Sequence, residues 1–256
     1  MKRFMAFLLA LLLAVPAAFA DPLPLAEEDL TETITVFYNG EDESGGRYVW
    51  SCRCPAVRED VDLSAVCVNE FYRKKIEEYV DFYGPSQAQE YGAQHLNVSI
   101  SVSYEVMRND DDFFSVLIHK TEDVEGEITE TWEGNTFARS SEVIGSLTSL
   151  PKLLGLVDAG ESDEWLEERQ SRKVWEVLCE LVWEAIQDNP GGIGYWEDLR
   201  KEELEEIIDP VISLDQDFYL DASGHIVFLI LPGRAAPAEA GLLTFAFDPE
   251  EFLDEL

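Results

Sequence analysis

VSISVSYEV, residues 98–106, is the stretch that decides the fold class of this chain. Apolar and polar side chains alternate through it without a break, and Tyr104 holds the apolar register near its end. Successive side chains of a strand point to opposite faces, so the stretch predicts a strand with one buried face and one solvated face. That arrangement is typical of antiparallel sheets.

The residues after this strand predict an antiparallel meander. A turn rich in Asn and Asp at 109–112 leads into a second strand at 113–120. A second turn at 123–126 leads into a third strand at 127–137, which is rich in Thr and aromatic residues.

The residues before the strand predict two more strands, at 33–38 and 48–54, followed by a helix. Asp60 or Asp62 is placed to cap the helix, and the Gly-Pro pair at 84–85 is expected to end it. No strand–helix–strand unit of the parallel type is evident in the pattern.

The C-terminal half predicts helices followed by a hairpin. The longest helix is expected from Ser162 or Asp163 to about Asn189, with an apolar stripe facing the core. An acidic helix, a hairpin, a last strand and a final helical turn follow it, at 197–208, 218–220 with 225–231, 242–247 and 250–256. The fold class is therefore α+β: antiparallel sheets, formed by a meander and a C-terminal hairpin, pack with two or three amphipathic helices.

The first 20 residues predict a secretory signal peptide. Lys2 and Arg3 precede an apolar run at 4–15, and Ala18 and Ala20 provide small residues for cleavage. An uncleaved membrane helix is disfavoured because a span needs about 20 apolar residues. We expect secretion or a cell-envelope location for the mature chain. Residues 21–31 are expected to be an acidic, Pro-rich linker, and residues 32–256 one globular module with two lobes, 32–156 and 157–256.

The charge balance limits the partners of the chain. There are 53 acidic and 18 basic residues, a formal net charge of −35. Binding to nucleic acid is excluded because it requires clustered Lys and Arg, and an anionic membrane is disfavoured for the same reason. The acidity serves either solubility or the attraction of a cationic partner.

The four cysteines are Cys52, Cys54, Cys67 and Cys179. An even number in an exported chain permits two disulfides in three connectivities. Cys52 and Cys54 share one face of a strand, and a bridge from one of them to Cys67 is compatible with the sequence, which leaves the connectivity open. Cys179 lies on an apolar helix face and is expected to be a buried free thiol.

The sequence contains no pattern that indicates catalysis. His95, His119 and His225 are not spaced as metal ligands, and there is no GxSxG motif. The acids at 215, 217 and 221 depart from a calcium-loop pattern. We therefore expect no catalytic residue, no bound cofactor and no metal site.

Three segments resemble a known exported domain, at 104–118 (YEVMRNDDDFFSVLI), 135–156 (NTFARSSEVIGSLTSLPKLLGL) and 217–247 (DFYLDASGHIVFLILPGRAAPAEAGLLTFAF). The chain resembles the lysozyme-sensing ectodomain of anti-sigma factors of the sigma-V type. That domain, formerly of unknown function, also precedes the catalytic domain of certain peptidoglycan deacetylases. The resemblance implies that the chain is this extracellular module standing alone.

Three functions follow as hypotheses. The first is a non-catalytic binding module of the bacterial cell envelope, whose ligand is a cationic protein such as lysozyme or a cell-wall component. The second is a peptidoglycan-active hydrolase, or an accessory of a deacetylase. The third is a structural or carrier protein without a specific small ligand.

Overall fold

The computed structural model describes residues 22–39, 42–60, 63–139, 145–157, 164–189 and 191–256. The predicted signal peptide and its cleavage site before Asp21 lie outside the described residues, as do the candidate helix caps Asp62, Ser162 and Asp163. The architecture is α+β, which confirms the fold class: a mixed five-stranded sheet and a three-stranded antiparallel sheet carry several helices.

The larger sheet has its five strands in chain order, with bounds β1 Leu30–Asn39, β2 Asp42–Cys54, β3 Val98–Asn109, β4 Phe113–Val124 and β5 Glu127–Ala138. Strands β3, β4 and β5 form the predicted antiparallel meander. In β3, Val98 and Ile100 are buried while Ser99 and Ser101 are exposed, as the alternation predicts.

Strands β2 and β3 are paired in parallel, in contrast to the sequence interpretation. Tyr48 lies opposite Val98, and Cys52 lies opposite Val102. The crossover between them consists of helix α1 (Leu63–Glu78), a π turn (Tyr79–Tyr83) and helix α2 (Gly84–Ala93). A long helical crossover is what returns a chain to the same end of a sheet, so the parallel pair follows from the length of this connection.

The sequence predicted that the crossover helix ends at Gly84 and Pro85, but helical structure continues through both residues. Proline lacks an N–H group, and its ring clashes with the carbonyl group four residues earlier in an α-helix. The π turn widens the helix just before Pro85, and the Gly84 N–H group donates to the Tyr79 carbonyl oxygen five residues back. Gly84 also lies against β1, since a Cβ atom there would be 2.9 Å from Ile34 Cδ1.

The C-terminal half is built on the smaller sheet, whose strands are β6 Phe218–Leu220, β7 Ile226–Ile230 and β8 Leu243–Phe247. Five helices accompany it among the described residues, with bounds α3 Leu150–Leu153, α4 Glu164–Asp188, α5 Lys201–Ile207, α6 Ile212–Gln216 and α7 Pro249–Asp254. The predicted hairpin, last strand and final helical turn are all present.

The long helix α4 packs its apolar stripe on the core of this half. Val174, Leu178 and Val182 are fully buried there, together with Phe218 and Phe228 of the sheet. Leu166, near the start of the same helix, is 40% exposed. No helix among the described residues has the length and apolar character to cross a membrane.

The two sheets meet through close backbone contact between β5 and β6. A Cβ atom at Gly134 would lie 1.7 Å from the Phe218 carbonyl oxygen, so a residue with a side chain does not fit there. Ser115 Oγ accepts a hydrogen bond from the Leu220 N–H group at 3.0 Å and also bonds Thr136 Oγ1 at 2.8 Å. These buried contacts fix the position of the smaller sheet on the larger one.

The segment expected to be a linker is partly packed on the larger sheet. Leu23 is 1% exposed, and its N–H and carbonyl groups both bond the side chain of Asn109, at 2.7 and 2.8 Å. Leu25 forms a bridge to Val57. Leu23 and Leu25 therefore contribute to the folded structure.

Candidate binding cleft

A cleft of about 430 Å³ lies over the larger sheet, beside helix α1. Its floor is formed by side chains of β2 to β5, and one wall is formed by α1 and the π turn. The other wall comes from the C-terminal half, next to the edge strand β5. We call this the binding cleft; the residues that line it are Trp50, Cys52, Cys54, Tyr72, Lys75, Ile76, Tyr79, Val102, Ile118, Lys120, Thr131, Trp132, Glu133, Asn135, Ile212, Gln216, Asp217 and Leu231.

The helical wall is held against the sheet by aromatic stacking. The rings of Trp50 on β2 and Tyr79 in the π turn are stacked, with centroids 4.2 Å apart and planes 15° from parallel. The π turn places Tyr79 at this position, and π turns within helices are frequent at functional sites.

Hydrogen bonds between Tyr79 and both Tyr48 and Gln87 hold the stacked pair in place. The Tyr48 hydroxyl group donates to the Tyr79 hydroxyl oxygen at 2.5 Å, and the Tyr79 hydroxyl group donates to Gln87 Oε1 at 2.6 Å. The Tyr48 hydroxyl oxygen also lies 3.0 Å from Gln87 Oε1. Burial raises the pKa of Tyr48 above its ordinary value, and the hydrogen bond with Tyr79 raises it further. The hydroxyl groups therefore stay protonated and keep their hydrogen bonds to one another and to Gln87.

A polar network crosses the cleft from helix α1 to strand β5. Lys75 Nζ lies 2.5 Å from Glu133 Oε1, which also accepts a hydrogen bond from Asn135 Nδ2 at 2.7 Å. The Tyr72 hydroxyl group donates to Asn135 Oδ1 at 3.2 Å. The network orients an ammonium group and a carboxylate at the mouth of the cleft.

A second ammonium group reaches the cleft from β4. Lys120 Nζ lies 2.9 Å from Glu122 Oε2, and Glu122 Oε1 accepts a hydrogen bond from the Tyr91 hydroxyl group at 2.5 Å. Burial opposes ionisation of Glu122, but the hydrogen bonds from Tyr91 and Lys120 leave its pKa lowered. The hydrogen bond to Glu122 raises the pKa of Tyr91 to about 12.

The wall from the C-terminal half presents Asp217 next to exposed Gln216 and Ile212. Asp217 Oδ2 accepts a hydrogen bond from Ser213 Oγ at 2.6 Å. Burial raises the pKa of Asp217, and the bond from Ser213 offsets part of this shift. Positive and negative groups thus alternate around an apolar floor, in a chain that is otherwise strongly acidic.

All four cysteines are free thiols, so neither Cys52 nor Cys54 is bridged to Cys67. Cys67 on α1 lies beside Gly145, where a Cβ atom would be 2.5 Å from Cys67 Cβ. Cys52 and Cys54 instead line the binding cleft. Cys179 is buried, and burial raises the pKa of its thiol to about 12.

The three histidines lie in separate places and form no common site. His95 follows α2 with a positive φ of 56°. His119 stacks on Trp132 with centroids 4.6 Å apart and bonds Glu130 at 2.9 Å. His225 Nδ1 lies 3.1 Å from Asp221 Oδ2 in the β6–β7 turn. Among the described residues no group of three or more His, Cys, Asp or Glu is arranged to hold a metal ion.

The cleft was not identified from the sequence, because its polar residues come from four different elements. Two signals were available. One is the presence of Lys75 in the predicted helix and Lys120 in a predicted strand, in a chain with few basic residues. The other is the Cys-x-Cys pair on a strand, which places two thiols on one face.

Comparison with known proteins gives matches at the level of the fold. No protein-family model matches the chain, and no curated protein matches it. A DUF3298-family protein from Bacteroides fragilis matches with a TM-score of 0.57 and 12% identity, over 91% of this chain and 94% of that chain. A DUF3298-family protein from Pseudomonas aeruginosa matches with a TM-score of 0.48 and 10% identity, over 92% and 94%. The first match supports the conclusion that this chain has a fold of the DUF3298 type.

Proposed function

We propose that this protein is a non-catalytic, extracytoplasmic binding module that holds a cell-wall component in the binding cleft. The observation that carries the proposal is the cleft itself. Its volume of about 430 Å³ is in the range of small-molecule sites, roughly 300–1,000 Å³. Its largely apolar lining, with a few convergent polar groups, is also typical of such sites. The predicted signal peptide at residues 1–20 supports a location outside the cytoplasm.

The chemistry of the lining fits a fragment of peptidoglycan. The stacked aromatic side chains of Trp50 and Tyr79 line the cleft and offer an apolar surface against which a sugar face packs. Lys75 and Lys120 offer ammonium groups to the carboxylates of lactyl and peptide groups. Thr131 and Gln216 offer neutral hydrogen-bonding groups to hydroxyl and acetamido groups.

Titration calorimetry with soluble disaccharide-peptide fragments tests the proposal. We expect saturable one-to-one binding that Lys120→Met weakens by about tenfold or more, since a charge-assisted hydrogen bond contributes about 1.5–3 kcal/mol. Lys152→Met is the matched control, because Lys152 and Lys120 both have 34% of their side chains exposed, and Lys152 pairs with Glu167 outside the cleft. Absence of binding, or equal weakening by both variants, would overturn the proposal. Cleavage of the fragments during the titration would favour the hydrolase hypothesis instead.

A second candidate function, the binding of a cationic protein such as lysozyme, is favoured by a different surface. Glu176, Glu180 and Glu184 follow one another at every fourth position of α4, and Glu255 joins them around a hollow of about 200 Å³. Lys201 pairs with Glu180, and Arg172 pairs with Glu176 at 3.1 Å. The other two carboxylates give this surface a residual negative charge.

Calorimetry against lysozyme and cytochrome c at physiological salt tests this second candidate. Long-range attraction between exposed charges is screened beyond about 8 Å under these conditions, so generic charge attraction should be weak. Saturable binding to lysozyme alone, lost in the double variant Glu184→Gln with Glu255→Gln, would support it. The control double variant is Glu127→Gln with Glu130→Gln on β5, which removes the same charge elsewhere. Equal binding of both cationic proteins would exclude a specific partner on this surface.

A further inference from the structure

The floor of the binding cleft carries two thiols side by side. Cys52 and Cys54 are two positions apart on β2, so their side chains point to the same face of the sheet. Each residue is 6% exposed, and both line the cleft. The two thiols also interact with each other. A pair of soft ligands therefore faces an opening that a small ion can enter.

We propose that Cys52 and Cys54 together bind one Cu(I) ion as a two-coordinate site at the floor of the binding cleft. Thiolate sulfur is the soft ligand type that selects Cu(I) over harder ions. Two thiolates are sufficient, because a monovalent d¹⁰ ion is stable with two sulfur ligands in a nearly linear arrangement. Binding forms two copper–sulfur bonds and releases the two thiol protons to solvent.

The surroundings of the thiols compensate only part of the charge of this site. Two thiolates and one monovalent cation leave a net charge of −1. The hydrogen bond with Cys52 and burial raise the pKa of the Cys54 thiol, and the Lys75 ammonium group offsets a smaller part of this shift, so copper has to displace a firmly held proton. The apolar side chains of Ile76 and Val102 line the same cleft and limit the access of water to the ion.

Two other uses of the thiol pair fit the structure less well. A structural zinc ion takes four ligands, and no group of three or more His, Cys, Asp or Glu is formed in the part of the chain that the structure describes. A disulfide needs Cβ atoms about 3.5–4.5 Å apart, whereas the side chains at positions i and i+2 of a strand leave the same face roughly in parallel, about 6.4–6.8 Å apart. Pairing of β2 with β1 and β3 holds this extended geometry.

Competition with a coloured Cu(I) chelator tests the proposal. The purified, reduced protein is titrated into Cu(I) bound by bicinchoninate, without any cell-wall ligand. We expect one equivalent of copper to be withdrawn, and the affinity to fall by more than about 100-fold in Cys52→Ser and in Cys54→Ser, since loss of a direct ligand exceeds the effect of an outer-shell change. Cys67→Ser and Cys179→Ser are matched controls that should keep the affinity.

Fluorescence provides a second readout. Trp50 lies two positions before Cys52 on the same face, so copper in the site should quench part of the tryptophan emission. Each variant is checked by urea unfolding, and Cys54→Ala replaces Cys54→Ser if the serine variant is unfolded. Retained one-to-one binding in either folded cleft variant, or loss in Cys67→Ser, would overturn the proposal. The outcome is separate from the proposed function, because the titration requires no fragment binding.

Discussion

Trp50 and Tyr79 are stacked with their ring centroids 4.2 Å apart, and this contact ties strand β2 to the π turn of the crossover. The hydroxyl group of Tyr79 is anchored at the same time by Tyr48 and Gln87. One side chain therefore connects the sheet, the π turn and helix α2. The wall of the binding cleft depends on this connection, because Tyr79 and Trp50 both line it.

Removing the Tyr79 hydroxyl group should destabilise the protein measurably. Tyr79→Phe keeps the stacking but leaves Tyr48 with Gln87 as its remaining partner, so we expect a loss of about 1–2 kcal/mol in the free energy of unfolding. Urea unfolding monitored by circular dichroism measures it. Tyr83→Phe is the control, since Tyr83 is 61% exposed and its change should stay within about 0.5 kcal/mol. Equal effects of the two variants would show that the Tyr79 hydroxyl group contributes nothing.

The contact between the two sheets should not tolerate a side chain at residue 134. In Gly134→Ala the new Cβ atom would lie 1.7 Å from the Phe218 carbonyl oxygen, and both backbones are held by strand pairing. We expect a loss of more than about 3 kcal/mol in the free energy of unfolding, because overpacking against backbone cannot be relieved by a rotamer change. Gly194→Ala is the control, since a Cβ atom there has no neighbour within 4 Å. A Gly134→Ala protein as stable as the control would mean that the sheets are not in contact at this point.

Ser115 should matter more than an exposed serine of the same sheet. Ser115→Ala leaves the buried N–H group of Leu220 without its acceptor, and the side chain of Thr136 without its partner. The expected loss is about 1–3 kcal/mol in the free energy of unfolding, the usual penalty for an unsatisfied buried polar group. Ser101→Ala, at an exposed position of β3, should change stability by less than about 0.5 kcal/mol. Thermal unfolding of the two variants side by side would decide the matter.

Local patterns in the sequence were sufficient to predict most strands. The alternation in 98–106 gave β3 and its buried face, because side-chain direction in a strand depends on the backbone alone. The parallel pairing of β2 with β3 was missed, since pairing depends on where the crossover returns the chain. The continuation of the helix through Gly84 and Pro85 was missed for a related reason: a π turn has no sequence signature as strong as that of a proline.

The binding cleft could not be predicted, because it is a tertiary feature. Lys75 and Glu133 are 58 positions apart in sequence, and their ion pair forms when α1 packs over the sheet beside β5. Asp217 was considered as part of a loose calcium loop, yet its partner is Ser213 in the helix before it. The Cys52 and Cys54 pair on one strand face was visible in the sequence, whereas its position on the floor of a cleft was not.

The half-buried carboxylate of Asp217 should reduce stability at neutral pH. Its pKa is raised, chiefly by burial, so ionisation costs folding free energy as pH rises from the ordinary value of 3.8 through the folded-state pKa. Asp217→Asn removes this cost and can keep the bond from Ser213. We therefore expect the variant to be more stable than the wild type above that range, and the gain to disappear below about pH 3.8, where Asp217 is protonated in both states.

The control for this effect is Asp209→Asn, because the pKa of Asp209 is lowered whereas that of Asp217 is raised. The N–H groups of Ile212 and Val211 lower the pKa of Asp209, so its charged form stabilises the fold above the unfolded-state pKa. Asp209→Asn should therefore give no gain at pH 7. Urea unfolding midpoints between pH 3 and 8 measure both variants. A gain from Asp217→Asn that is independent of pH would contradict the assigned cause.

Ile100 and Val102, successive residues on one face of β3, should respond very differently to substitution by aspartate. Ile100 is fully buried and lies opposite Glu122, so an aspartate there would be desolvated and would face a like charge. Ile100→Asp should cost more than about 4 kcal/mol in the free energy of unfolding. Val102 is half-buried on the floor of the binding cleft and lies opposite Lys120. A carboxylate at this position reaches an ammonium group, since directly opposite Cβ atoms of paired strands are about 4.5–5.5 Å apart.

Val102→Asp should therefore cost no more than about 2 kcal/mol and leave the protein folded, while altering the charge balance of the cleft. Because the new carboxylate competes for Lys120, the variant should also bind an acidic cell-wall fragment more weakly than the wild type does. Urea unfolding measures the first effect and titration calorimetry the second. A folded Val102→Asp protein with unchanged fragment affinity would place the ligand away from β3, and equal destabilisation by both substitutions would show that Val102 is not at an accessible cleft surface.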